Sequence, residues 1–194
     1  MFDFVTIHRN INEKSAWDER MVSPKVNTFP DNNGIQEFES FMREICDPCK
    51  NLKQFSQKVL SCFAREKEIS QGLFFISDMM QGKHVLKFLS GYAYANNDDN
   101  EDVIEFGEGF PGQVANDGKL INITDIPEGY MAIESGLGKA SPVSLIIFPV
   151  SYNGNLLAVI ELASFKKFTT DDEQFFMRVS SYIATQIMKH IANN

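Results

Sequence analysis

The period of the apolar residues changes several times along the chain, and each change marks an element. From Ile35 to about Ile69, Phe38, Phe41, Ile45, Cys49, Leu52, Phe55, Val59 and Phe63 recur at spacings of three and four. Such a stripe predicts an amphipathic helix, or two, because Pro48 removes an amide and kinks or breaks it. GLFFISDMM and HVLKFLSGYAYA then read as strands of a hairpin with only Gln81-Gly82-Lys83 between them. NNDDNED is a polar turn or loop, and a Gly-rich segment leads to the short apolar run LINIT. VSLIIFPVSY and LLAVIELASF are joined by Asn153-Gly154, a strong hairpin signal. The last segment opens on Thr170-Asp171-Asp172-Glu173, read as a capping box, and carries Phe176, Val179, Ile183 and Ile187 on one helical stripe.

Strands with two apolar faces need cover on both sides, helices on one and another layer on the other. The order helix, hairpin, loop layer, hairpin, helix therefore predicts an α+β domain over residues 35–194. Residues 1–34 hold no sustained period and contain Pro24, Pro30 and PDNNG, so they read as an irregular arm. Its Phe2, Phe4, Ile7, Ile11 and Trp17 suggest packing on the domain or on a second copy.

Composition narrows the function. The chain has 194 residues, enough for one core, and a 43% hydrophobic share with 17 Phe, as packed proteins have. A net charge of −8 from 26 acids and 18 bases repels phosphate backbones and anionic lipid, which argues against nucleic-acid and membrane partners. Three cysteines cannot all pair, the N-terminal stretch has no long apolar run, and Val143 to Val150 is far short of the roughly 20 residues of a membrane helix. A cytoplasmic location is expected.

From roughly Asn51 to Ile191 the chain resembles GAF domains, through FGEGFPGQVANDGKLINITDIPEGY, SLIIFPVSYNGNLLAVIELASF and FTTDDEQFF. The first segment resembles that family's glycine turn, short helix and strand ending in Asp, here Asp125. The second resembles its closing hairpin, and Ile160-Glu161-Leu162 is similar to GAF domains of bacterial hybrid sensor kinases. The resemblance implies a PAS-related fold: a central antiparallel sheet, N- and C-terminal helices on one face, and a loop and short-helix layer over a ligand cavity on the other. It implies a non-enzymatic sensory domain of bacterial signal transduction that binds a small molecule or relays a signal. A homodimer through the helix containing Leu52 to Phe63 and the helix containing Phe176 to Ile187 is expected, because both have more apolar positions than a narrow seam against one sheet requires. The rivals are a dimerising interaction module with a self-filled cavity, and a thiol-dependent reductase of free methionine sulfoxide.

Individual motifs add little chemistry. Gly107-x-Gly109-x-x-Gly112 matches a dinucleotide fingerprint, but Asn116-Asp117-Gly118 ends any helix after about two turns, so the glycines read as a tight backbone turn. Cys46-x-x-Cys49 is half a zinc site with no matching second pair, and Cys49 falls on the apolar stripe of the first helix, where a buried thiol is expected. Sulfoxide reduction needs a thiolate beside the substrate. Against the reductase branch of the family, Pro111 stands where a cavity cysteine is expected and the segment up to Pro142 has no Cys. Against the cyclic-nucleotide branch, Phe168, Asp172 and Glu173 are kept but Ala163-Ser164 replaces Asn-Lys. No catalytic constellation, metal cluster or named cofactor emerges.

The stretch expected to roof the cavity, Asn96 to Pro142, holds ten acids (Asp98, Asp99, Glu101, Asp102, Glu105, Glu108, Asp117, Asp125, Glu128 and Glu134) against Lys119 and Lys139, and no Arg to grip an anion. A small neutral or cationic ligand, contacted by some of Phe88, Tyr92, Phe110, Asp125, Tyr130 and Glu161, is therefore expected. Phe88 and Tyr92 are expected on one face of their strand, with Asp125 and Glu161 each anchoring a donor.

Overall fold

The computed structural model describes residues 32–46, 48–94, 103–135 and 138–192. The arm expected over residues 1–34 lies outside it up to residue 31. The first helical stripe is two helices, α1 (Asn32–Ile45) and α2 (Leu52–Lys67), with Pro48 in the break. Asn51 caps α2: its Oδ1 accepts from the Gln54 amide at 2.8 Å, while Gln54 Oε1 accepts from the Lys50 amide at 2.7 Å. Cys49 therefore sits in the connection and not on a helix; it is half-buried against the core, so the expected fully buried thiol is corrected.

Strands β1 (Gln71–Met80) and β2 (Lys83–Tyr92) turn through Gln81 and Gly82, with φ of 50° and 79°. Strands β7 (Ser144–Tyr152) and β8 (Asn155–Ser164) turn through Asn153 and Gly154, with φ of 49° and 80°. Paired positive φ values mark the tight hairpin turns that match strand twist. The three-residue strands β3 (Val103–Glu105) and β4 (Ile121–Ile123) form the two edges of a six-stranded antiparallel sheet ordered β3-β2-β1-β8-β7-β4. Strands β5 (Ile133–Ser135) and β6 (Gly138–Ala140) pair separately.

Helices α1, α2 and α4 (Thr170–Ala192) share one core with the residues of one sheet face, among them Phe74, Ile76, Ile146, Phe148, Ile160 and Leu162. Phe148 stacks on Phe176 at 5.2 Å, and Phe41 of α1 stacks on Phe63 of α2 at 4.7 Å. Leu52, Phe55, Val59 and Phe63, and Phe176, Val179, Ile183 and Ile187, are all buried within the protomer. Within the protomer these stripes pack on the sheet and on α1, while Met177 and Tyr182 of α4 are exposed. The cap of α4 lies one residue earlier than expected. Asp172 Oδ2 accepts from the Thr169 amide at 2.9 Å and the Asp172 amide donates to Thr169 Oγ1 at 3.2 Å, so Thr169-x-x-Asp172 closes the box.

The other face carries a second core of Leu73, Phe75, Leu86, Leu145, Ile147 and Val159 under the short helix α3 (Gly109–Asp117). Gly107 and Gly109 take φ of 91° and 58°, and a Cβ on Gly112 would lie 2.5 Å from the Glu105 carbonyl oxygen. The three glycines thus build the tight approach of α3 to β3, as a backbone turn. Gly118, at φ 62°, ends α3 with its amide on the Val114 carbonyl at 2.9 Å. No described helix is long and apolar enough to cross a membrane.

Candidate functional site

Between the second face and α3 lies a cavity of about 690 Å³. Strand alternation supplies its floor: Gln71, Leu73 and Phe75 from β1, Phe88 from β2 and Glu161 from β8. Tyr94, Val103 and Ile104 wall one side, Glu108, Gly109 and Pro111 bring in the start of α3, and Tyr130, Met131 and Ala132 complete the lining. A depression of about 780 Å³ at the outer end of the β1–β2 hairpin is larger, but its Lys83 and Glu105 are exposed and pair with each other at 2.8 Å. Of these two, the first reaches buried polar groups among the described residues, so it is the candidate site.

Glu161 is 3% exposed, and its Oε1 accepts a hydrogen bond from the Tyr130 hydroxyl at 3.0 Å. Burial pushes the Glu161 carboxyl up to about 7, against the lowering effect of the Tyr130 bond. Burial, and then the nearby Glu161 charge, raise the Tyr130 hydroxyl well above the ordinary phenol range. Phe110 braces Tyr130 with ring centroids 5.0 Å apart and packs in the second core without lining the cavity.

Gln71 is 5% exposed; its Nε2 donates to the Ala93 carbonyl at 3.0 Å while its Oε1 has no partner. A buried acceptor left without a donor is costly, and such a group in a native fold calls for an explanation. Nothing in the motif reading pointed to Gln71. The available signal was a polar residue in phase with Leu73 and Phe75 at the start of an otherwise apolar strand.

Of the expected contacts, Phe88, Tyr130 and Glu161 line the cavity. Tyr92 does not share the face of Phe88. Phe75 pairs with Phe88 but Phe74 pairs with Ser90, so Leu89 is an extra residue, a bulge that shifts the alternation. Ser90 then bonds Ser56 of α2 at 2.7 Å, on the helical side, and Tyr92, opposite Gly72, follows it. Ala93, at φ 49°, folds the chain back so that Tyr94 takes the cavity position, 5.5 Å from Phe88. Asp125 lies beyond the end of β4 in an exposed turn, away from the lining. Of the ten roof acids, Asp98, Asp99, Glu101 and Asp102 fall outside the described residues. Glu108 lines the cavity with its carboxylate accepting from the Glu105 amide at 3.1 Å; Glu105, Asp117, Asp125, Glu128 and Glu134 are exposed.

The three cysteines belong to the helical side. Cys62 is buried in the helical core, Cys49 packs against that core, and Cys46 accepts from Gln186 of α4 at 3.7 Å. Burial, with Glu44 beside it, pushes the Cys62 thiol up to about 12. Among the described residues no group of three His, Cys, Asp or Glu side chains is placed to hold a metal ion.

A comparison with curated protein sequences finds no match. Among solved structures, the GAF domain of a phosphoenolpyruvate-protein phosphotransferase from Coxiella burnetii is similar, with a TM-score of 0.68 at 20% identity over 83% of this chain and 96% of that one. The corresponding GAF domain from Acinetobacter gives 0.65 at 14% identity, over 84% and 95%. A free methionine-R-sulfoxide reductase from Neisseria meningitidis, in complex with its substrate, gives 0.65 at 12% identity, over 86% and 96%. At these identities the likeness is one of fold. The family model described as GAF domain matches residues 37–188, which span α1 to α4, and the chain therefore belongs to the GAF domain family, chiefly a family of sensory and regulatory domains.

Proposed function

We propose that this chain is a non-enzymatic sensory domain of bacterial signal transduction, which binds a small neutral or cationic molecule in the cavity between β1, β2, β8 and α3. The observation that carries the reading is the pair of buried acceptors, Glu161 and Gln71 Oε1, on the floor of a cavity large enough for a small organic molecule. No Lys, Arg or His lines it among the described residues, which favours a ligand without negative charge. The separation of all three thiols from the cavity by the sheet supports binding over sulfoxide reduction. In this reading the working unit is a homodimer joined through the outer face of the helical layer, where Met177 and Tyr182 are exposed. Native mass spectrometry of the purified protein, with denatured extracts compared for small molecules, tests both parts. A co-purifying molecule in a dimeric species is expected. A strictly monomeric mass at high concentration would remove the dimer, and failure of any small molecule to bind would remove the ligand.

A further inference from the structure

We infer that the cavity selects an organic cation bearing its own N–H donors, an ammonium, amidinium or guanidinium head, with Glu161 as counter-ion and the Gln71 carbonyl as second acceptor. The inference rests on the reading of this cavity as a ligand site. Leu73 stands opposite Glu161 and Gln71 opposite Ala163, so Gln71 and Glu161 are diagonal neighbours on one sheet face. One donor-bearing head can reach both. The Gln71 amide is orientated by its bond to the Ala93 carbonyl, and Gln71 lines the cavity with its buried oxygen unpartnered. The Tyr130 hydroxyl, the donor nearest Glu161, is already spent on it.

Two alternative head groups meet obstacles. An anion would face Glu161 and Glu108 with no basic side chain in the lining. The start of α3, which would otherwise attract an anion, offers Pro111 without an N–H and holds the Glu108 carboxylate beside it. A quaternary ammonium is compatible with the ring faces of Phe75, Phe88 and Tyr94 but has no hydrogen for Gln71. A cation with N–H groups satisfies the rings, the carboxylate and the amide together.

Binding has a proton signature. Leu73 and Ile147 flank Glu161 on the neighbouring strands, and α3 presents Val114 and Ala115 to this core. Tyr130, Tyr94 and Glu108 are the other titratable side chains of the lining among the described residues. A cation drives Glu161 to its charged form, so below pH 7 part of its proton passes to the buffer on binding.

Calorimetric titration of the full chain at pH 6.5, in two buffers of different ionisation enthalpy, with benzamidine, benzamide, benzyltrimethylammonium and benzoate tests the inference. Expected are benzamidine binding at least tenfold tighter than the other three, proton release with benzamidine, and a tenfold or greater loss in Glu161→Gln. Glu161→Asp, which keeps the charge, should retain part of the affinity. Equal binding of benzyltrimethylammonium, or benzamidine binding unchanged in Glu161→Gln, would overturn the inference. Benzoate or benzamide binding best would overturn the cation assignment and leave the cavity as a ligand site. No binding by any probe at millimolar concentration would count against both.

Discussion

Asn122, on the edge strand β4, donates through Nδ2 to Glu173 Oε1 at 2.7 Å, in the first turn of α4, and to the Phe168 carbonyl at 3.2 Å. Ile121 and Ile123, its strand neighbours, pack with the second core on the cavity side. Alternation thus makes this one short strand a tie between the cavity layer and the helical layer. Asn122→Ala removes both bonds and leaves a half-buried carboxylate without its donor, but it also removes the buried Asn122 Oδ1, which has no partner. The orphaned oxygen offsets part of the loss, so a loss of about 1 kcal/mol in urea unfolding is expected, and a midpoint raised by the substitution would show that the tie is not stabilising.

Glu161 makes stability depend on pH with a definite sign. Its folded pKa of about 7 lies above the ordinary 4.5, so between those values the folded state holds a proton that the unfolded state has lost. Stability from this group is complete below pH 4.5 and declines as pH rises to 7, by about 3 kcal/mol in total. Unfolding wild type and Glu161→Gln side by side from pH 4.5 to 8 isolates the effect. The variant should gain on wild type as pH rises, and parallel curves would contradict the raised pKa.

At Gly112 the glycine is required by space. A methyl group there would sit 2.5 Å from the Glu105 carbonyl oxygen and 3.1 Å from the Gly107 nitrogen, both backbone atoms. Gly112→Ala must push α3 off β3, at a cost of about 1–3 kcal/mol. Chemical denaturation should show that loss, together with weaker binding of any cavity ligand. A variant as stable as wild type would mean that the turn yields freely.

Thiol-dependent turnover of free methionine-R-sulfoxide is expected to be absent, because Cys46, Cys49 and Cys62 all belong to the helical side of the sheet. An assay with dithiothreitol as reductant provides the check. Turnover that disappears in Cys46→Ser or Cys49→Ser would require those thiols to reach the substrate and would make the chain a reductase.

Much of the architecture is local, and the sequence by itself determined that part. Pro48 cannot donate within a helix, so the first stripe had to break there. Gln81-Gly82 and Asn153-Gly154 accept the positive φ that tight hairpins need, so both hairpins were legible, and Gly118 ended α3 for the same reason. The apolar faces of β7 and β8 announced a sheet covered on both sides. The site was legible only as far as alternation held. Phe88 is in phase with the floor, but Leu89 is a bulge, and one extra residue turned Tyr92 to the helices and gave its place to Tyr94. A bulge depends on how a strand meets its neighbour, which no period within the strand records. Tertiary structure alone decided that Glu161 meets Tyr130 from 31 residues away, and that Gln71 spends its amide on Ala93 and keeps its oxygen unpartnered. Desolvation and hydrogen-bond satisfaction belong to the packed neighbourhood of a group, and that neighbourhood exists only once strands and roof have come together.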